Sequence, residues 1–232
     1  MHTGHVSRER LVRTILVLAI ATSCLLASTP ARAASPPVQP SGVLALSNGE
    51  LELTLYGGGI FTLASSDGRA LLFPGGTSYF SMWVDGTAYT SSMLEGMSAN
   101  TVSQEEPPER VDSNTAREQF VTEERVRYTV TYELNGPAVR LALRVENEGS
   151  ASHAVKARFL LDTQVDENDG SPLLSESEVY TKETDVPPSV TIFKGYDKIP
   201  DPDFTSTGLL VTRPERVAFV HWPQARESAW GY

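Results

Sequence analysis

Two groups of residues in this chain could do chemistry. The first is the stretch LLDTQVDENDGSPL, Leu160 to Leu173, where Asp162, Asp166, Glu167, Asn168 and Asp169 crowd side-chain oxygens ahead of Gly170 and Pro172. Hard oxygens of this kind suit calcium. Counting from Asp166, Asn168 falls where an EF-hand wants a ligand, but Gly170 comes one residue early and the twelfth position is Ser177 rather than Glu. The stretch therefore reads first as a corner after a strand, with Asn168-Asp169-Gly170 supplying the turn and Asp162 capping a nearby amide. The alternative is a calcium site on Asp166, Asn168 and Asp169. The second group is the aromatics Trp83, Tyr89, Tyr196, Trp222 and Trp230, which could stack on a sugar face.

Other reactive constellations are missing or weak. There is no Gly-x-Ser-x-Gly elbow for a serine nucleophile. His153, in GSASHAV, reads as a turn histidine, and His221 shares a strand face with Val217 and Phe219, as a core or rim histidine would. Two scattered histidines are too few for zinc. The many Asp and Glu residues leave a glycosidase-type pair open without pointing to one.

The N terminus sets the compartment. Arg8, Arg10 and Arg13 introduce the apolar run Thr14 to Leu26, and Ala31-Arg32-Ala33 follows. This is the pattern of a secretory signal peptide cleaved after Ala33, and the run is short of the ~20 residues that span a bilayer. Residues 1–33 are thus a leader, 34–42 a Pro- and Ser-bearing tether, and 43–232 the domain, with no integral span after cleavage. Cleavage removes the lone Cys24, four arginines and one glutamate, which moves the formal charge from −10 to −13. No disulfide can form in the remaining 199 residues. So acidic a surface argues against nucleic acid and anionic lipid.

The elements that must position these residues read as strands. Leu51, Leu53 and Leu55 alternate with Glu52, Thr54 and Tyr56, and Val126 to Leu134, Val139 to Val145 and Val155 to Leu161 repeat that period of two. Ser66-Asp67-Gly68, Asp85-Gly86 and Asn135-Gly136 supply tight turns. No helical repeat competes, so the expected fold is all-β, a two-sheet antiparallel sandwich. In SYFSMWVD, Phe80, Met82 and Val84 form the core face and leave Trp83 outward, while Ser103 to Arg117, polar and holding Pro107-Pro108, reads as a long surface loop.

TSYFSMWVDGTAY (Thr77 to Tyr89), VRLALRVENEGSASHAVKARFLLDTQVDENDGSPL (Val139 to Leu173) and VAFVHW (Val217 to Trp222) together resemble an uncharacterised secreted β-sandwich domain of bacterial and archaeal envelope proteins. In that group a strand ending in Leu-Asp-Thr runs into a loop like Asn168-Asp169-Gly170-Ser171-Pro172. More loosely, the long strands resemble the galactose-mutarotase-like supersandwiches. That likeness implies carbohydrate as a ligand, although fold does not fix chemistry. The His and Glu pair that mutarotases use has no counterpart around His153 or His221.

The expectation is an exported, non-catalytic module, extracellular, periplasmic or on the cell surface. Carbohydrate would be its ligand, held by Trp83, Trp222, Trp230 and Asp162, with no cofactor other than calcium. The alternatives are a structural or protein-interaction module whose partner is an envelope protein and, with least support, a carbohydrate-active enzyme.

Overall fold

In the computed structural model the described residues are 13–20, 42–90, 100–101, 103–175, 178–187, 189–212, 214–220 and 225. The strands among them are β1 Arg13–Ile20, β2 Leu44–Ser47, β3 Leu51–Tyr56, β4 Ile60–Ser65, β5 Tyr79–Val84, β6 Thr87–Thr90, β7 Asn100–Thr101, β8 Ser103–Arg110 and β9 Thr115–Val121. They continue with β10 Val126–Asn135, β11 Ala138–Asn147, β12 Val155–Leu160, β13 Leu173–Leu174, β14 Val179–Tyr180, β15 Thr184–Asp185, β16 Ile192–Tyr196, β17 Thr205–Leu210 and β18 Ala218–Phe219. The expected all-β class is what forms. Among the described residues no helix is long and apolar enough to cross a membrane.

Alternation becomes layering. A nine-stranded sheet runs β14-β13-β16-β17-β1-β11-β10-β9-β8, and the smaller sheets are β12-β5-β6-β7, β2-β3-β4 and β15-β18. In β10 each second residue, from Val126 to Leu134, is buried, and in β3 Leu51, Leu53 and Leu55 are. These inward rows meet in one cluster, with edge-on ring contacts across the layers: Phe61 of β4 on Tyr132 of β10 at 5.4 Å, and Phe80 of β5 on Phe120 of β9 at 4.8 Å. Burying such a side chain is worth about 1.5–3 kcal/mol.

The turn signals act as written. Asp85 and Gly86 both take positive φ (46° and 97°), and the hairpin closes on the pair Val84–Thr87. Asn135-Gly136 closes β10 on β11 with Asn135 opposite Ala138.

Two expectations fail. Ser103–Arg117 is not a loop: Ser103–Arg110 is β8, the edge of the large sheet, and it hairpins onto β9. Proline cannot donate to a ladder, so Pro107-Pro108 is tolerated on this edge, where the register slips between Gln104 and Glu106 and again between Glu106 and Glu109. Nor is the second face of β5 wet. Tyr79 and Ser81 are as buried as Phe80 and Met82, and Tyr79 packs with Leu160, Ala225 and Val220 in a separate small cluster.

The segment read as part of the leader supplies β1, paired in parallel with β11 on one side and β17 on the other. An apolar run of this kind suits a strand flanked on both sides, as in the interior of a sheet.

Candidate functional site

The acidic stretch leaves β12 and turns at once. Val165 and Asn168 exchange both backbone hydrogen bonds, at 3.1 and 3.0 Å, around Asp166, whose φ is +58°. Both polar atoms of the Asn168 side chain are engaged: its oxygen accepts from the Gly170 amide at 3.0 Å, and its nitrogen donates to the Asp197 carbonyl at 2.9 Å. Ser171 then accepts from the Tyr196 amide at 3.0 Å and donates to the Tyr196 carbonyl at 2.7 Å. The stretch is a corner tied to the end of β16 and to the residue that follows it.

Asp162 caps no amide with its side chain. Its carboxylate accepts the Thr77 hydroxyl, while its backbone amide donates to the Ser78 hydroxyl at 3.0 Å. Burial raises its pKa, the Thr77 bond opposes that shift, and the nearby Asp169 charge adds to it. Asp166, Asn168 and Asp169 thus share a corner in which the Asn168 oxygen already has a backbone donor. Among the described residues no group of three or more His, Cys, Asp or Glu is arranged to hold a metal ion.

Beside the corner lies an open groove of about 340 Å³. Glu52 and Thr54 of β3, Thr62 of β4, and Gln164, Asp166 and Glu167 of the corner give it a polar lining, and Leu63, Leu72 and Pro74 contribute apolar surface. No aromatic ring lines it. It can hydrogen-bond a hydroxylated molecule but offers no face for stacking.

Trp83 is half-buried on β5, level with Lys156 of β12, whose ammonium lies 5.7 Å from its ring centroid. The cation covers part of the ring that a sugar would need. Trp222, Trp230 and His221 lie outside the described residues.

Two constellations were not anticipated. The His153 Nδ1 lies 2.7 Å from Asp85 Oδ2, and the other Asp85 oxygen accepts the Ala154 amide at 2.8 Å. These bonds, that of His153 first, hold the Asp85 carboxyl below its usual range. The pair clasps the β5–β6 turn to the loop before β12. His153 lines neither this groove nor the small apolar void of about 10 Å³ around Leu63, Leu71 and Phe193. The second constellation is Glu118, which accepts from Tyr132 at 2.9 Å and from Gln104 Nε2 at 3.1 Å deep in the core. Gln104 Oε1 in turn accepts the Gly58 amide at 2.8 Å, which ties the β3–β4 turn to the large sheet. A sequence signal for this existed, because Glu118 shares a strand face with Ala116 and Phe120.

Comparison with known protein families, curated proteins and solved structures returns no match.

Proposed function

We propose that this chain is an exported, non-catalytic β-sandwich module that docks other polypeptides. What supports this reading is the enclosure of its rings: every aromatic side chain among the described residues is buried or half-buried. Stacking on sugars needs at least one ring free on a face, and rings packed as these are contribute to the core instead. Three of the ionisable groups are likewise committed to structure, Asp162 to Thr77, Asp85 to His153 and Glu118 to Tyr132. An acid–base pair working on a bound substrate needs such groups open to a cleft.

The groove favours a second reading, a module that holds a hydroxylated ligand such as a saccharide by hydrogen bonds alone. Its volume falls at the low end of ordinary ligand pockets. A glycan array probed with the exported protein separates the two. Docking predicts a blank array, and saturable binding that is lost in Thr62→Ala and Gln164→Ala would establish the saccharide reading in its place.

A further inference from the structure

We infer that the exported protein carries a strand-wide slot in its largest sheet, and that an extended apolar strand of a second polypeptide fills it. The inference rests on the docking reading above and on removal of residues 1–33 at export. With the leader present, β1 is paired on both sides, running parallel to β11 from Ile15–Ala138 to Ile20–Leu143 and parallel to β17 from Arg13–Thr205 to Leu18–Leu210. Cleavage after Ala33 takes β1 away and leaves the edges of β11 and β17 facing each other. Neighbouring strands lie ~4.8 Å apart, so the vacated space is one strand wide, with the axes of β11 and β17 about 9.6 Å apart.

Each edge then presents a row of backbone N–H and C=O groups that only water or another strand can satisfy. A strand entering between them pairs along both sides at once, twice the main-chain bonding of ordinary addition to a sheet edge. The register also describes the occupant. Leu16, Leu18 and Ile20 stand level with Val139, Leu141 and Leu143, which are all buried in the main cluster. An occupant therefore needs apolar residues at every second position over about six residues, and it must run parallel to β11.

Neither the tether nor residues 221–232 suit the slot. The tether carries Pro36, Pro37 and Pro40, each lacking an N–H, and two-sided pairing uses the N–H of every residue. Residues 221–232, HWPQARESAWGY, hold Pro223 and a charged centre with no apolar alternation. The long apolar runs Leu51–Leu55, Val126–Leu134 and Val139–Val145 already pair within sheets. These features favour a strand from a second polypeptide as the occupant.

The test starts from the full-length chain sent through an export pathway, with the exported form weighed by intact mass spectrometry. The probe is a labelled synthetic peptide carrying RTILVLAI between pairs of lysines, with binding followed by fluorescence anisotropy. Three peptides are compared: the plain sequence, the same sequence N-methylated at alternate residues, and one with Leu16→Asp and Leu18→Asp. We expect a mass lacking residues 1–33, saturable binding of the plain peptide, and at least tenfold weaker binding of the other two. A retained leader, visible in the mass, would overturn both the export reading and the slot. A cleaved protein that ignores the plain peptide, or binds the N-methylated peptide equally well, would overturn the slot and leave export standing.

Discussion

The Tyr132 hydroxyl donates to the Glu118 carboxylate at 2.9 Å in the core, where Glu118 is only 1% exposed. Burial pushes the pKa of Glu118 up to about 8, against the bonds from Tyr132, Gln104 and the Gly59 backbone. An unfolded glutamate releases its proton near 4.3. Between the two values the folded chain holds a proton that the unfolded chain has lost, so stability falls as pH rises, by about 1.4 kcal/mol per unit for this group. Thermal melts from pH 5 to 8 should show that decline, and Glu118→Gln should flatten it and melt no lower than the parent at pH 8. A decline that persists in Glu118→Gln would place its source elsewhere.

The exposed carboxyls work in a different window. Asp67, Asp85 and Asp112 are each held below the usual carboxylate range, by bonds from Ser65, from His153 and from the Asn114 backbone respectively. The stability they contribute is present above the ordinary value and is lost as pH falls through the lowered one. For Asp85, His153→Gln should raise the carboxyl pKa toward the ordinary value, read by carbon-detected NMR. An unmoved Asp85 titration would mean that the Ala154 amide alone sets it.

Asn168 holds the acidic corner by two bonds of its side chain, so Asn168→Ala should cost about 1–3 kcal/mol in denaturant unfolding, as expected for buried or half-buried polar partners left unpaired. Asn168→Asp keeps the acceptor for Gly170 and loses the donor to Asp197, and should fall between the two. If the corner is structural, a chelator and excess calcium leave the melting temperature of the parent unchanged. A calcium-dependent rise would instead assign Asp166 and Asp169 to a cation.

Across the layers, Phe80 meets Phe120 edge-on at 4.8 Å, both rings being fully buried. Phe80→Ala should destabilise by about 3–5 kcal/mol, and Phe120→Ala by a similar amount. The double variant should lose less than the sum of the two, because each single change already removes the shared contact. Strict additivity in a double-mutant cycle would show that the rings do not interact.

The fold was legible where one side of a strand is wet. Val126–Leu134 and Leu51–Leu55 show their period in the sequence because Arg127, Thr129 and Glu52 lie on the less buried face of their strands. Where both faces are covered the period carries less: Tyr79 and Ser81 look like a polar face and are both fully buried, Tyr79 within the second cluster. Ser103–Arg110 reads as loop because its prolines and charges are those of any exposed segment, and an edge strand is made of the same residues. The acidic corner was readable from its turn residues. The Asp85–His153 pair was not, since 68 residues separate partners that only the β5–β12 pairing brings together.

Hydrogen exchange on the exported protein measures the slot most directly. In Ala138–Leu143 and Thr205–Leu210, the amides that β10 and β16 do not bind should exchange quickly without its leader and slow by at least tenfold when the RTILVLAI peptide is added. Amides already protected in the leader-free protein, or unchanged by the peptide, would contradict docking by strand insertion.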